Sequence, residues 1–252
     1  MDASVLIEKI KKARLLRLDT NCYSIDVIKR ADSISELGDS FAFSYEDHGI
    51  KRLCFFASDY DTLSKLLNGF ENGPYYLEVM TREPDSICLT GVECISRLMR
   101  LSNNDCNTAF DNDEITRFRD DDIVQTAEVA DTNEINKLLW STFKTEVSHL
   151  LSDDELSEVI RKGNVLIHKA GAIDAVLQVD VMPKKFYINQ VINLAGKEVI
   201  HAMMLYKLDS YRYNGGKYMY SWVDENNIAS LKFHGKYGME HDGMWNLVYC
   251  LR

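Results

Sequence analysis

The chain has little proline, no paired-cysteine motif, no long apolar run and no excess of positive charge. Three prolines in 252 residues impose few forced breaks on helices or strands. The six cysteines, Cys22, Cys54, Cys88, Cys94, Cys106 and Cys250, include no Cys-x-x-Cys pair, which disfavours a zinc ribbon or a secreted disulfide framework and favours reduced thiols. Six scattered histidines lack the i, i+4 pairing of helical metal sites, so no structural metal is expected. No run of about 18 apolar residues could span a bilayer, and no basic-plus-apolar leader is present. A cytoplasmic protein with no membrane partner is the expectation. A formal charge of −10 speaks against nucleic acid, whose phosphates require clustered Lys and Arg.

What is present is a 46% hydrophobic chain with clear periodicity, enough to bury one large core or two smaller ones. The polar stretch from Ser102 to Asp122 reads as a linker, which predicts a smaller N-terminal α/β domain over residues 1–114 and a second domain over 115–252. In the N-terminal part, Ile50 to Ala57 and Tyr75 to Met80 read as strands and Tyr60 to Leu67 as a helix. Asp47-His48 suggests an acid/base pair, although a solvated turn is the commoner outcome for such a dipeptide.

In the C-terminal part, Ile123 to Val129 reads as a strand. Asp131-Thr132-Asn133-Glu134 predicts a capping box opening a helix with Ile135, Leu138, Leu139 and Phe143 inward, and Ser152-Asp153-Asp154-Glu155 predicts a second box before Leu156, Val159 and Ile160. Strands at Asn164 to His168, Ala172 to Val181 and Phe186 to Ile192 form an antiparallel meander. A helix over Lys197 to Tyr213 stops at Asn214-Gly215-Gly216. Then come a strand at Lys217 to Val223, a helix with Asp224 or Asn226 as its cap and Ile228, Leu231 and Phe233 as apolar contacts, a glycine stop at Gly238, and a strand at Trp245 to Leu251. In that last strand Trp245 and Tyr249 suit core packing or an apolar surface.

One segment is more specific. Asn227, Ser230, Phe233, His234, Lys236 and Gly238, with Met239 in place of Phe, follow the order Asn-x-x-Ser/Ala-x-x-Phe/Leu-His/Tyr-x-Lys-x-Gly-Phe. This closely resembles the last conserved segment of the GNAT N-acyltransferase superfamily, and the element order along roughly 115–252 is the GNAT order. The resemblance implies an α/β (α+β) fold with a mixed, mostly antiparallel sheet flanked by helices, preceded here by a possible divergent GNAT-like half. It implies an N-acetyltransferase that uses acetyl-coenzyme A as co-substrate and acylates a small-molecule or peptide amine by direct attack.

The same resemblance implies the site residues. The strand end Val191, Ile192 and Asn193 would hold the pantetheine arm, and Ala195, Gly196, Lys197, Glu198 and Val199 the pyrophosphate at a helix start. Asn227, Ser230 and Phe233 would complete the cofactor side. His234 and Tyr237 are the candidate proton donors to the leaving thiolate. The family pattern Gln/Arg-x-x-Gly-x-Gly/Ala is met here by Ala195, Glu198 and Ile200, placing a carboxylate and a bulky side chain where phosphate would approach. A non-catalytic GNAT-like module binding a ligand or partner is therefore the alternative, as is acyl transfer from a carrier protein. Asp180, Asp224 and Glu146 are candidate general bases, and Gln178, Asp180 and Gln190 alternate on strands that could line an acceptor cleft. Monomer and homodimer both remain open.

Overall fold

The computed structural model describes residues 3–13, 18–19, 24–108 and 124–252. The chain divides into two units, Met1–Leu98 with Gly243–Arg252, and Met99–Asp242. The expected boundary between residues 114 and 115 lies outside the described residues, as does Ile123.

In the first unit the elements are α1 (Ala3–Ala13), β1 (Leu18–Asp19), α2 (Ile25–Lys29), β2 (Ile34–Leu37), β3 (Ser40–Asp47), β4 (Ile50–Ala57), α3 (Tyr60–Leu67) and β5 (Tyr75–Thr81). The strand β6 (Val92–Asn103) leads out of it, and β12 (Glu240–Leu251) returns to it. Strand order is β2-β3-β4-β5-β12. The β3–β4 hairpin turns at His48, whose φ of 50° puts it in the left-handed region, while Asp47 beside it accepts from Arg52 at 2.9 Å. Asp47-His48 is thus a turn held by an ion pair.

Alternate residues of these strands build two cores. Phe55, Leu77, Val79 and Leu247 face Leu63, Leu66 and Leu67 of α3, with Tyr249 in the same core and Trp245 against its edge. Phe43, Cys54 and Phe56 face Leu6 and Ile10 of α1 and Val27 and Ile28 of α2. Period-2 alternation on the strands and period-3.6 spacing on the helices give this helix–sheet–helix layering directly. Truncating a buried leucine such as Leu63 would cost about 2–5 kcal/mol.

β4 pairs with β5 in parallel only at Arg52↔Tyr76 and Leu53↔Leu77. Beyond that point β1 pairs antiparallel with β4 at Leu18↔Ala57 and Asp19↔Phe56, while β3 keeps the opposite edge through Phe41↔Phe56. The edge of β4 that β5 leaves is therefore taken by two residues of the chain itself.

The second unit contains β7 (Gln125–Thr126), α4 (Thr132–Thr142), α5 (Asp153–Arg161), β8 (Val165–Ala170), β9 (Ala172–Met182), β10 (Lys185–Asn193), α6 (Lys197–Tyr213), β11 (Tyr218–Asp224) and α7 (Ile228–Gly235). The strand order, starting from β6, is β6-β11-β10-β9-β8-β7. Ile200, Met203, Met204, Leu205 and Leu208 of α6 pack on Leu177, Val179, Phe186, Ile188 and Met219. On the other face Ile135 and Leu139 of α4 and Leu156 and Ile160 of α5 pack on Val176 and Ile192, with Leu138, Phe143 and Val159 half-buried at the margin.

Four local expectations are corrected. Ser102 and Asn103, read as linker, lie in β6, because buried Asn103 donates to the Tyr237 carbonyl at 2.9 Å and so belongs to the core. The strand read over 123–129 is shorter among the described residues, pairing only at Gln125 and Thr126. The first capping box sits three residues early: Asp131 accepts from the Glu128 N–H at 2.9 Å across a short 3-10 turn, and caps nothing on α4. Ile228 is 56% exposed and adds little to packing. The second box is as read, with Ser152 and Glu155 exchanging side-chain and backbone bonds.

Candidate active site

β10 and β11 start in parallel register at Lys185↔Tyr218, Phe186↔Met219 and Tyr187↔Tyr220, and there the pairing ends. The register of β10 against β9 slips between Ile188 and Gln190, and a bulge of this kind bends a strand and increases its twist. Ser221 Oγ donates to the Ile188 carbonyl at 2.9 Å, so one buried hydroxyl spans the point where the strands part. Among the described residues no strand pairs with Ile188–Asn193 on the β11 side. The edge of β10 therefore presents backbone N–H and C=O groups without a sheet partner.

That edge leads into the start of α6. Leu194, 73% exposed, donates its N–H to the Asp174 carbonyl, and Gly196 takes a φ of 125°, a conformation that favours glycine. Asn193 Oδ1 accepts the Gly196 N–H at 3.0 Å. Among the described residues no side chain caps the following turn, so the N–H groups of Lys197, Glu198 and Val199 add to the positive end of a 17-residue helix. Lys197 and Glu198 are both exposed, 4.0 Å apart. Ile200 is buried in the core beneath α6, so its bulk points away from the helix start.

The site residues foreseen from the sequence separate by face. Val191, Ala195, Val199 and Phe233 all pack, half-buried, against the α6 core, and so share one apolar rim. Ile192 faces the opposite core. Asn227 caps α7 by accepting the Ser230 N–H at 3.0 Å, in place of the foreseen Asp224 or Asn226; Asp224 instead accepts from the Asn226 N–H. The φ of 64° at Gly238 completes the stop after α7.

His234 is 2% exposed, and its Nδ1 lies 2.8 Å from the Ser230 carbonyl and 3.3 Å from Ser230 Oγ. A ring nitrogen facing a carbonyl carries the proton, which leaves Nε2 as a buried acceptor without a hydrogen-bond partner among the described residues. Burial lowers its pKa to about 4, against a smaller opposing pull from the Ser230 carbonyl, so the ring is neutral at pH 7.

Tyr237, 1% exposed, meets Phe233 edge-on at 5.3 Å, and its hydroxyl lies 2.8 Å from Nδ1 of His201, whose ring stacks on it at 5.7 Å. His201 was not foreseen; it stands 36 residues from Tyr237 and forms no local pattern with it. On the far face of the sheet Tyr187, Tyr220 and Tyr218 stack in a ladder, and Arg100, paired to Asp242 at 2.7 Å, lies over Trp222. Asp180 is the candidate base in that region. Burial pushes its carboxyl up, opposed by Lys162 and by a hydrogen bond from Asn189.

No family model matches the chain, and no curated protein matches it by sequence. Solved structures do match. A tandem GNAT protein from the clavulanic acid biosynthesis pathway is similar with a TM-score of 0.57 at 11% identity, over 90% of this chain and 86% of that one. The GCN5-related N-acetyltransferase from Sphaerobacter thermophilus gives 0.54 at 9%, over 84% and 76%. An acetyltransferase of the GNAT family from Colwellia psychrerythraea gives 0.52 at 10%, over 98% and 95%. At these identities the likeness is one of fold, and the chain has the fold of the GNAT acyltransferases.

Proposed function

We propose that the chain is an N-acyltransferase that moves an acetyl group from acetyl-coenzyme A to a primary amine by direct attack, with the second unit carrying the chemistry. The observation that supports this reading is the unpaired edge of β10, which runs from the β10–β11 fork to the uncapped start of α6. Edge N–H groups suit the amide-bearing pantetheine arm and a polarised thioester carbonyl, and helix N–H groups with the helix dipole suit a pyrophosphate. Val191, Ala195, Val199 and Phe233 supply the apolar rim. The first unit is a second copy of the same framework, its equivalent edge closed by β1.

In the reaction the neutral amine attacks the thioester carbon, the C–S bond breaks, the leaving thiolate takes a proton from the enzyme, and the proton that the nitrogen sheds as it becomes the amide returns to that donor. Tyr237 is assigned as the donor. With its proton on Nδ1, His201 donates to the phenol oxygen, which turns the phenol proton outward and steadies the phenolate that forms. His234, neutral and bonded within its own helix, positions α7.

Calorimetry with acetyl-coenzyme A at two salt concentrations tests the reading: micromolar, salt-sensitive binding is expected, and no binding at millimolar ligand overturns it. Tyr237→Phe should lower turnover by about 100-fold while leaving that affinity unchanged. A carrier-protein donor is the second reading, favoured by Asn193, which already occupies one N–H of the loop. Acyl transfer from a phosphopantetheinylated carrier protein but not from acetyl-coenzyme A would establish it.

A further inference from the structure

The sheet face of the second unit that looks away from α6 carries two buried glutamines with amide atoms that the packing among the described residues leaves unpaired. Val176 and Ile192 face α4 and α5, so strand alternation places Gln178 and Asp180 of β9, and Gln190 of β10, on that same face. Register sets Gln190 opposite Gln178 and Tyr187 opposite Asp180, making one contiguous patch of four side chains. Tyr220, in register with Tyr187 on the next strand, stacks on it at 4.8 Å.

Gln178 is 1% exposed and Gln190 4%, yet Oε1 and Nε2 of Gln178 and Oε1 of Gln190 have no hydrogen-bond partner among the described residues. Buried amides left unpaired weaken a fold, and leucines of similar size would serve the core better. Two neighbouring carbonyl oxygens with nothing to accept, and two residues along the same face a carboxylate that takes one hydrogen bond from Asn189 and has lone pairs left over, put three groups with acceptor capacity in one place. An alkylammonium ion offers three N–H donors and no acceptor. The charged group acting on the carboxylate is Lys162; Arg100, which like Asp180 acts on Tyr220, is engaged by Asp242.

We infer that Gln178, Gln190 and Asp180 form the amine-binding end of an acceptor site for a primary alkylammonium ion, with Tyr187 and Tyr220 lying against its carbon skeleton. The fate of the bound amine rests on the acyltransferase reading above; its binding does not. Asp180, partly buried, then takes the proton that the ammonium must lose before its nitrogen can attack, so the carboxylate becomes a carboxylic acid and the ammonium a neutral amine.

The test uses two ligands of equal charge and the same ring, benzylamine and benzyltrimethylammonium, titrated into the whole chain by NMR or calorimetry. Benzylamine should bind at least tenfold more tightly, because only it has N–H donors. The double variant Gln178→Leu with Gln190→Leu should lose at least tenfold in benzylamine affinity, melt at a higher temperature and keep its affinity for acetyl-coenzyme A. Should that variant fail to fold, Asp180→Asn, which preserves shape, should show the same loss. Equal binding of the two cations, binding of neither at millimolar concentration, or variants that bind benzylamine like the parent would each overturn the assignment. Benzylamine binding without acetyl-coenzyme A binding would leave this site standing and remove the acyl-transfer reading instead.

Discussion

The two units share a plan in their first three helices and the strands between them, and differ in how one fork of that plan is closed. In each, a pair of N-terminal helices covers one sheet face, a third helix covers the other, and the strand before that third helix starts in parallel register with the strand after it and then parts from it. In the first unit the open edge is taken by Leu18 and Asp19, and the helix that follows is capped by Asp59, whose carboxylate accepts the Thr62 N–H at 2.7 Å. In the second unit the edge of β10 stays unpaired among the described residues, and α6 has no side-chain cap. The same geometry that ties one fork shut with its own strand and its own carboxylate leaves the backbone amides of the other without strand or side-chain partners among the described residues. The carboxylate of Asp59 at the N-cap of α3 satisfies an N–H that a phosphate would use, so the first unit fills from within both places that the proposed cofactor would use in the second.

Acid should separate the units most strongly. Folding holds His234 of the second unit at a pKa of about 4, below its ordinary value of 6.5. The unfolded chain therefore takes that proton first as pH falls. The stability tied to the neutral ring is whole above pH 6.5 and lost between 6.5 and about 4, a loss of about 3 kcal/mol. Asp59 of the first unit is neutralised by its proton where His234 is charged by it, but the slope has the same sign: hydrogen bonds from the Thr62 backbone and side chain, and then from Ser58, hold it below 3.8. Its contribution is present above pH 3.8 and lost only as pH falls through the lower folded value. Denaturant melts from pH 7 to 3 should show the second unit weakening first, and His234→Gln should flatten the step between 6.5 and 4.

Copying the closed chemistry onto the open unit has the next largest effect. Gly196→Asp places a carboxylate at the start of α6, where a Cβ meets nothing within 4 Å but the φ of 125° strains any L residue. Affinity for acetyl-coenzyme A should fall on the order of 10- to 100-fold by calorimetry. Gly196→Ala, with the strain and without the charge, should lose far less. The smallest effect is the reverse change. Asp59→Ala removes a cap from α3, so the melting temperature of the first unit should drop by a few degrees, with acetyl-coenzyme A affinity untouched.

Most of the plan was legible in the sequence because it is written in local patterns. The bounds of α6 follow from Gly196 and from Asn214-Gly215-Gly216, α3 spans Tyr60–Leu67 as read, and the β8–β9–β10 meander follows from alternation. The closing of the first fork was not legible, since β1 is two residues long and finds its partner 37 positions or more away. Asn103 reads as loop until its long-range bond to the Tyr237 carbonyl is known. Asp131 looks like the cap of α4 because the residues suit one, but the Glu128 N–H competes for its carboxylate. In the site, the motif from Asn227 to Gly238 located α7 but said nothing about burial, and burial is what keeps the His234 ring neutral and pairs Tyr237 with His201.

The most direct measurement follows the backbone amide resonances of the whole chain as acetyl-coenzyme A is added. Shifts concentrated at Lys197, Glu198 and Val199 and along Ile188 to Asn193, with Tyr60, Asp61 and Thr62 unmoved, are the predicted result. Shifts at the start of α3, or none at the start of α6 at saturating ligand, would contradict the distinction between a closed and an open fork.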